Sequence, residues 1–299
     1  MTATGYVVFG DRGVLALRGA DARPFLQELI TNDVARVRED QAAYGALLTP
    51  QGKFLFDFFI AQDRDRLLLE TERSRLGELQ RRLLLYRLRS KVEIENVSDD
   101  LTVAALIGQD VVGLLDLPEQ TGACRVLDQG LAFVDPRLVQ MGARALLPAP
   151  QAETILAQLG VPELEGAAYE RLRLRLGVPD GSRDLVVEKA TLLESGFEEL
   201  NGVDFAKGCF VGQELTARMK YRALVRKRLL PVTFNGPAPP SGAIVRLGER
   251  EAGEMRTTID GHGLALLRLE QVAKAKEEGA PLLAGETEIV PLAPDWARL

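Results

Sequence analysis

Apolar and polar positions follow two different rhythms along this chain, and the change comes near residue 225. Before it, short alternating runs are interleaved with stretches of helical spacing. Residues 13–18 read as a strand, and Asp21 is placed to cap a helix carrying Phe25, Leu26, Leu29 and Ile30 on one stripe. The polar run Thr31-Asn32-Asp33 stops that helix. Residues 44–48 and 54–60 flank Thr49-Pro50-Gln51-Gly52, which predicts a hairpin around a type I turn. After a turn at Asp63-Arg64-Asp65 comes a strand over 66–70. A helix is expected over 73–88, with Leu76, Leu79, Leu83 and Tyr86 recurring at helical spacing. Alternation over 91–95 predicts a half-buried strand. Strands at 102–107 and 131–134, with a short helix between them, complete an α+β unit through about residue 147.

Two more helices are expected, over 152–159 and 165–176, the second with Tyr169, Leu172 and Leu176 facing inward. Gly160 and Pro162, then Gly177 and Pro179, supply the stops. Residues 181–205 have little periodicity and read as a long winding connection, of the kind that is functional or mobile. Beyond Val225, short apolar runs (229–234, 243–247, 253–258, 264–269 and 288–292) are separated by glycine and proline turns. That spacing predicts a small β-barrel or jelly-roll-like domain.

Composition narrows the chemistry more than the fold. At 299 residues the chain is long enough for two or three domains, and 46% apolar with 27% charged residues is ordinary for a soluble protein. No apolar run approaches the roughly 20 residues a membrane helix needs, so no membrane partner is expected. The first residues lack a basic segment ahead of an apolar one, from which a cytoplasmic location is expected. A net charge of −6 argues against direct, non-specific nucleic-acid binding. Seven cations nevertheless crowd residues 207–228 against the single acid Glu214, as a local anion site or a solvated helix face. One histidine, His262, excludes a multi-histidine metal site. Two cysteines, Cys124 and Cys209, cannot supply the four thiolates of an ordinary iron–sulfur cluster.

The most informative run is Lys207-Gly208-Cys209-Phe210-Val211-Gly212-Gln213-Glu214, just ahead of an expected helix. A nearby cation and a helix N-terminus both stabilise a thiolate, so Cys209 reads either as a reactive thiol or as a buried small hydrophobe. Cys124 carries no motif and reads as structural.

This run resembles the signature of the YgfZ-type folate-binding family, which includes bacterial YgfZ proteins and a mitochondrial factor for assembling iron–sulfur proteins. The likeness extends along the chain. It takes in residues 25–34, the hairpin 45–53, Tyr86-Arg87-Leu88-Arg89-Ser90-Lys91-Val92, Tyr169–Arg173, Gly177-Val178-Pro179 and Ala217-Arg218-Met219. The resemblance implies an α+β fold like that of glycine-cleavage aminomethyltransferase. Two interleaved α+β subdomains (about 1–44 with 150–225, and 45–149) would surround a folate channel, and a small β-barrel would occupy 226–299. It further implies an accessory protein for assembly or repair of 4Fe–4S enzymes, with an indirect effect on tRNA modification. Tetrahydrofolate or a derivative would be the ligand, and assembly proteins and client iron–sulfur enzymes the partners. Cys209 would act as a redox-active thiol or as one ligand of a transient shared cluster. Asn32 and Asp33 would meet the pterin, and Arg89 and Lys91 the glutamate tail. The alternative is a folate-dependent aminomethyl or methyl transferase acting on a small amine or amino acid. Those enzymes' T-G-E-x-G-F-E run has no counterpart here, the corresponding stretch reading Val139-Gln140-Met141-Gly142-Ala143-Arg144.

Overall fold

Strands open the chain: β1 (Gly5–Phe9) and β2 (Arg12–Arg18) are short and largely buried. The computed structural model describes residues 3–127, 129–222 and 225–298. Helix α1 (Ala22–Leu29) buries Phe25, Leu26 and Leu29, as its stripe predicts. Asp21 stands at the N-cap position, yet its carboxylate accepts from the Lys91 N–H at 2.7 Å and does not cap the helix. Strands β3 (Ala43–Leu48) and β4 (Phe54–Asp63) form the expected hairpin. At its tip the Gly52 N–H donates to the Thr49 carbonyl at 2.8 Å, closing the four-residue turn.

β5 (Arg66–Glu72) leads into α2 (Leu76–Arg87), which buries Leu76, Leu79 and Leu83. Tyr86, expected on that face, is 38% exposed and so only partly covered. The strand expected at 91–95 is β6 (Glu93–Asn96), paired with β2 alone at a sheet edge and mostly exposed where half-burial was expected. Then come β7 (Leu101–Ile107), α3 (Val111–Leu114), β8 (Cys124–Val126), β9 (Leu131–Val134), β10 (Ala143–Pro148) and α4 (Ala152–Ala157). Helix α5 (Gly166–Leu176) buries Tyr169 and Leu172 as expected, but it places Leu174 inside and leaves Leu176 only partly covered. The connection over 181–205, expected to be a winding loop, holds the one-turn α6 (Gly181–Asp184). It is closely packed, with Leu185, Leu192, Phe197 and Leu200 buried.

The chain divides into two compact units. Met1–Leu48, Leu55–Tyr169 and Asn201–Val211 form the first, and Thr49–Phe54, Glu170–Leu200 and Gly212–Leu299 the second. The first contains two five-stranded sheets of order β3-β4-β5-β2-β6 and β1-β7-β10-β9-β8. One face of the latter sheet carries Ala104, Leu106, Ala143, Ala145 and Leu147 into a core with Val111, Val112 and Leu156.

In the second unit α7 (Gln213–Tyr221) precedes β11 (Lys227–Phe234), β12 (Ile244–Leu247), β13 (Arg250–Ile259), β14 (His262–Arg268), α8 (Leu269–Glu278), β15 (Leu282–Ala284) and β16 (Thr287–Pro291). These strands close into the expected barrel, β11 pairing with β14 on one side and β16 on the other. Alternate residues fill it, Leu230, Val232 and Phe234 from one strand and Ala265 and Leu267 from its neighbour. Helix α8 and the three-residue β15 leave too little apolar signal to be anticipated. Among the described residues no helix is long and apolar enough to cross a membrane.

The hairpin tip is specified by shape. Gly52 has φ +79, and an added Cβ would lie 2.6 Å from Leu215 Cβ and 2.7 Å from the Gly212 carbonyl oxygen. Gly52→Ala is expected to lower the unfolding free energy by about 2 kcal/mol or more, read by urea denaturation, since the left-handed conformation alone costs about 1–2 kcal/mol.

Candidate functional site

A helix of eight residues leaves its last carbonyls without intrahelical partners, and the dipole makes that end negative. The signature segment of the first unit meets both demands at the end of α1. The Lys207 ammonium donates to the Gln27 and Ile30 carbonyls at 2.5 Å each. The backbone adds the Val211 N–H to the Glu28 carbonyl at 3.2 Å, and the Asp204 N–H to the Thr31 carbonyl at 3.0 Å. Thr31 Oγ1 donates to the Gly202 carbonyl at 2.6 Å. Phe210 is buried, with its ring centroid 5.5 Å from Lys207 Nζ. Between these anchors Cys209 stands exposed and unpaired in any disulfide. Gly208 has φ +95 with open space where a Cβ would sit, so its backbone angle is what calls for glycine. Gly212, at φ +81, occupies the N-cap of α7, and Gln213 and Glu214 begin that helix as expected.

Burial pushes the Lys207 ammonium down to about 8, against the pull of Asp33 and Asp204. In an unfolded chain a lysine titrates near 10.4. Between those values the folded state therefore binds fewer protons than the unfolded one, and the stability from this group rises with pH. Urea denaturation of wild type and Lys207→Met is expected to show their difference shifting in favour of the wild type from about pH 8 to about pH 10.

The structure brings Asn32 and Asp33 beside the signature segment. Asn32 Nδ2 donates to the Tyr44 and Asn201 carbonyls at 2.6 and 2.7 Å, which uses both its N–H groups. Asp33 Oδ1 accepts from Gln27 Nε2 and from the Ala35 N–H, both at 3.0 Å. Its Oδ2 faces Arg36 Nε at 3.7 Å and retains acceptor capacity. Arg89 and Lys91 are exposed, but they lie at the opposite end of α1, where the Asp21 N–H donates to the Lys91 carbonyl. Eight helical residues, about 12 Å, separate the two pairs.

Sequence reasoning missed a buried charge network in the first unit. Arg12 pairs with Glu70, Arg144 Nη1 donates to Glu70 Oε2 at 2.9 Å, and Arg137 Nη2 donates to Asp135 Oδ2 at 2.7 Å. The Tyr169 hydroxyl accepts from Arg144 at 2.6 Å and from Arg137 at 2.9 Å. Both guanidinium groups lie over the Phe59 ring, at 4.0 and 4.7 Å. Burial pushes the Asp135 carboxyl up, but Arg137 and Arg144 outweigh it and hold the group below the usual carboxylate range. One signal was available. Arg144 alternates with Ala143 and Ala145 in an apolar strand, so a charge had to face an interior.

Three of the seven cations of 207–228 are held by partners within the chain. Lys207 binds helix carbonyls, Lys220 meets Glu198 at 2.6 Å, and Arg228 meets Glu199 at 2.8 Å. Cys124 is buried, and that burial pushes its thiol up to about 12. Iodoacetamide at pH 8 is therefore expected to modify Cys209 and spare Cys124, read as a single adduct by peptide mass spectrometry.

This architecture has known counterparts. Residues 11–121 match the GCVT N-terminal domain, and residues 226–299 match the CAF17 C-terminal beta-barrel domain. The glycine cleavage system aminomethyltransferase T of Bartonella henselae superposes with a TM-score of 0.77 at 15% identity, covering 99% of this chain and 87% of that one. The fold is therefore of aminomethyltransferase type, α+β with a closed barrel, as expected. The human iron–sulfur cluster assembly factor IBA57, mitochondrial, is 34% identical over 95% of this chain and 83% of its own length. The mouse protein of the same name matches equally, and the Neurospora crassa homolog is 31% identical over 79% of this chain and 55% of its own. All three are named mitochondrial, which overturns the expected cytoplasmic location. A missing export signal does not separate cytoplasm from an organelle interior. With such identity over nearly its whole length, this chain belongs to the family of the iron–sulfur cluster assembly factor IBA57.

Proposed function

We propose that the protein is a folate-binding accessory factor of YgfZ type that helps assemble or repair 4Fe–4S enzymes. The observation that carries the reading is Cys209, an exposed thiol on a loop anchored at both sides, with the chain's other cysteine buried. A cluster ordinarily takes four thiolates, and this chain can offer one accessible sulfur. The cluster is then cargo, held jointly with an assembly protein or a client enzyme that supplies the remaining ligands. In the second role open to it, the Cys209 thiolate attacks a partner's disulfide, and the partner's other sulfur leaves as a thiolate. Effects on tRNA modification would follow through modifying enzymes that carry clusters.

Tetrahydrofolate or a derivative is the proposed ligand, and the residues fit it in part. Asp33 Oδ2 can accept from the pterin's amino edge, whereas Asn32 has both N–H groups engaged. Arg89 and Lys91, exposed at the other end of α1, suit the carboxylates of the glutamate tail.

Anaerobic reconstitution with a cluster-assembly partner tests the central reading. Wild type is expected to give a joint cluster by absorption and Mössbauer spectroscopy, and Cys209→Ala none. Equal cluster yield from the two proteins would remove Cys209 from the mechanism. Calorimetric titration with tetrahydrofolate tests the ligand separately, with Asp33→Ala expected to weaken binding about tenfold. Turnover of that folate with an aminomethyl donor would favour the transferase instead.

A further inference from the structure

Helix α2 of the first unit has two apolar faces, and only one of them is buried. Leu76, Leu79 and Leu83 pack inward. Arg81, Leu84, Leu85 and Leu88 stand at i, i+3, i+4 and i+7, a spacing that gathers them on the outer side. Leu84 is 40% exposed, Leu85 77% and Leu88 88%, with Tyr86 beside them at 38%. Single exposed leucines are ordinary, but three at one helix end form a patch of the kind that marks a contact surface.

The backbone gives a second sign. Leu88 ends the helix with φ +44, at the position where helices commonly take glycine. The Ser90 N–H donates to the Arg87 carbonyl at 2.8 Å and closes the turn. Glycine would adopt that angle without strain, whereas leucine adds strain and exposed apolar surface together. Neither serves the packing of the unit, since Leu88 lies almost wholly outside it.

Charge of one sign surrounds the patch. Residues 79–92 hold five cations and no acid, in a chain of net charge −6. Arg82 pairs with Glu78 at 3.3 Å. Arg81, Arg87, Arg89 and Lys91 are exposed and have no ion pair among the described residues. At the border the Asp21 carboxylate accepts from the Lys91 N–H at 2.7 Å, and Glu93 stands opposite Arg18 in the β2–β6 register.

We propose that this end of α2 is a contact surface for a bilayer with anionic headgroups. Leu85 and Leu88 enter the interface, and the surrounding cations meet the lipid phosphates. A bilayer accepts protruding side chains without a matching groove, and its hold grows with inserted apolar area and with each nearby cation. Four apolar side chains fall short of the roughly 20–30 residues a side that a stable protein interface takes. A second copy of the chain would set cations against cations. The length that rules out a spanning helix does not bear on such a surface contact. The inference stands apart from the cluster and folate readings, neither of which uses Leu85 or Leu88.

Co-sedimentation of the full chain with sucrose-loaded vesicles is the test. It compares phosphatidylcholine alone with an equal mixture of phosphatidylcholine and phosphatidylglycerol. The mixed vesicles are expected to bind about tenfold or more tighter, and added salt to weaken that binding. Leu85→Ser combined with Leu88→Ser is expected to lower binding to the mixed vesicles about tenfold or more, with thermal unfolding unchanged. Leu88→Gly is expected to weaken vesicle binding yet raise the unfolding temperature, which separates a contact role from a packing role. Tetrahydrofolate affinity is expected to stay the same in these variants, so failure here leaves the folate reading untouched. Absence of binding to the mixed vesicles at about 1 mM lipid, equal binding to both compositions, or full binding by the double serine variant would each overturn the proposal. Binding of a glutamate- and leucine-rich helical peptide where the vesicles do not bind would overturn it in favour of an acidic protein partner.

Discussion

Arg144→Met is expected to lower the unfolding free energy by about 3–5 kcal/mol, the cost of leaving buried charges without their partner. Glu70 and Asp135 are 0% and 1% exposed. Glu70 keeps Arg12, and Asp135 keeps Arg137, but each loses one of two cations, and the Tyr169 hydroxyl loses its 2.6 Å donor. The guanidinium stacked 4.0 Å above Phe59 is lost as well. Methionine fills much of the volume, so charge and not cavity dominates the effect. Urea denaturation measures it, and a second variant apportions it. Glu70→Gln in the Arg144→Met background should cost less than Glu70→Gln alone, because the carboxylate has already lost one of its cations. A loss under about 1 kcal/mol for Arg144→Met would mean that the network does not hold the first unit together.

Lys207→Met is expected to cost about 1–2 kcal/mol and to release the signature loop. Its ammonium makes charge-assisted bonds to two helix carbonyls, and a thioether replaces neither. Lys207→Arg should not rescue the loop, since a planar guanidinium presents its donors in a different geometry from a compact ammonium. Hydrogen exchange over residues 207–211 is the direct readout, expected to quicken in both variants with α2 unaffected. Unchanged exchange in Lys207→Met would show that the backbone bonds of Asp204 and Val211 suffice. The position of this ammonium also changes the reading of the motif. Lys207 serves first as the strut that holds Cys209 out from α1.

Much of the fold was legible because the signals were local. The stripe Phe25, Leu26, Leu29, the turn Thr49–Gly52 and the period-two runs of the barrel each need a few neighbouring residues to be recognised. The misreadings came where burial depends on distant chain. Tyr86 continues its helix's apolar spacing but stays 38% exposed, and residues 181–205 lack periodicity yet bury Leu185, Leu192, Phe197 and Leu200. The candidate site divides in the same way. The motif singled out Cys209, but Asn32 and Asp33 proved to have most of their hydrogen-bonding capacity engaged within the chain. Arg89 and Lys91 proved to lie a helix length away.

The order of residues by itself determined most of the element types, the barrel, the family and the cysteine on which the proposed chemistry depends, since each is written in short-range spacing. Only the tertiary structure decided which partners the charged side chains take. Arg144 reaches Glu70 and Tyr169, and Lys207 reaches Gln27 and Ile30, across separations in sequence that no local pattern encodes. A hydrogen bond depends on distance in space, and chain folding alone brings such groups within three ångströms.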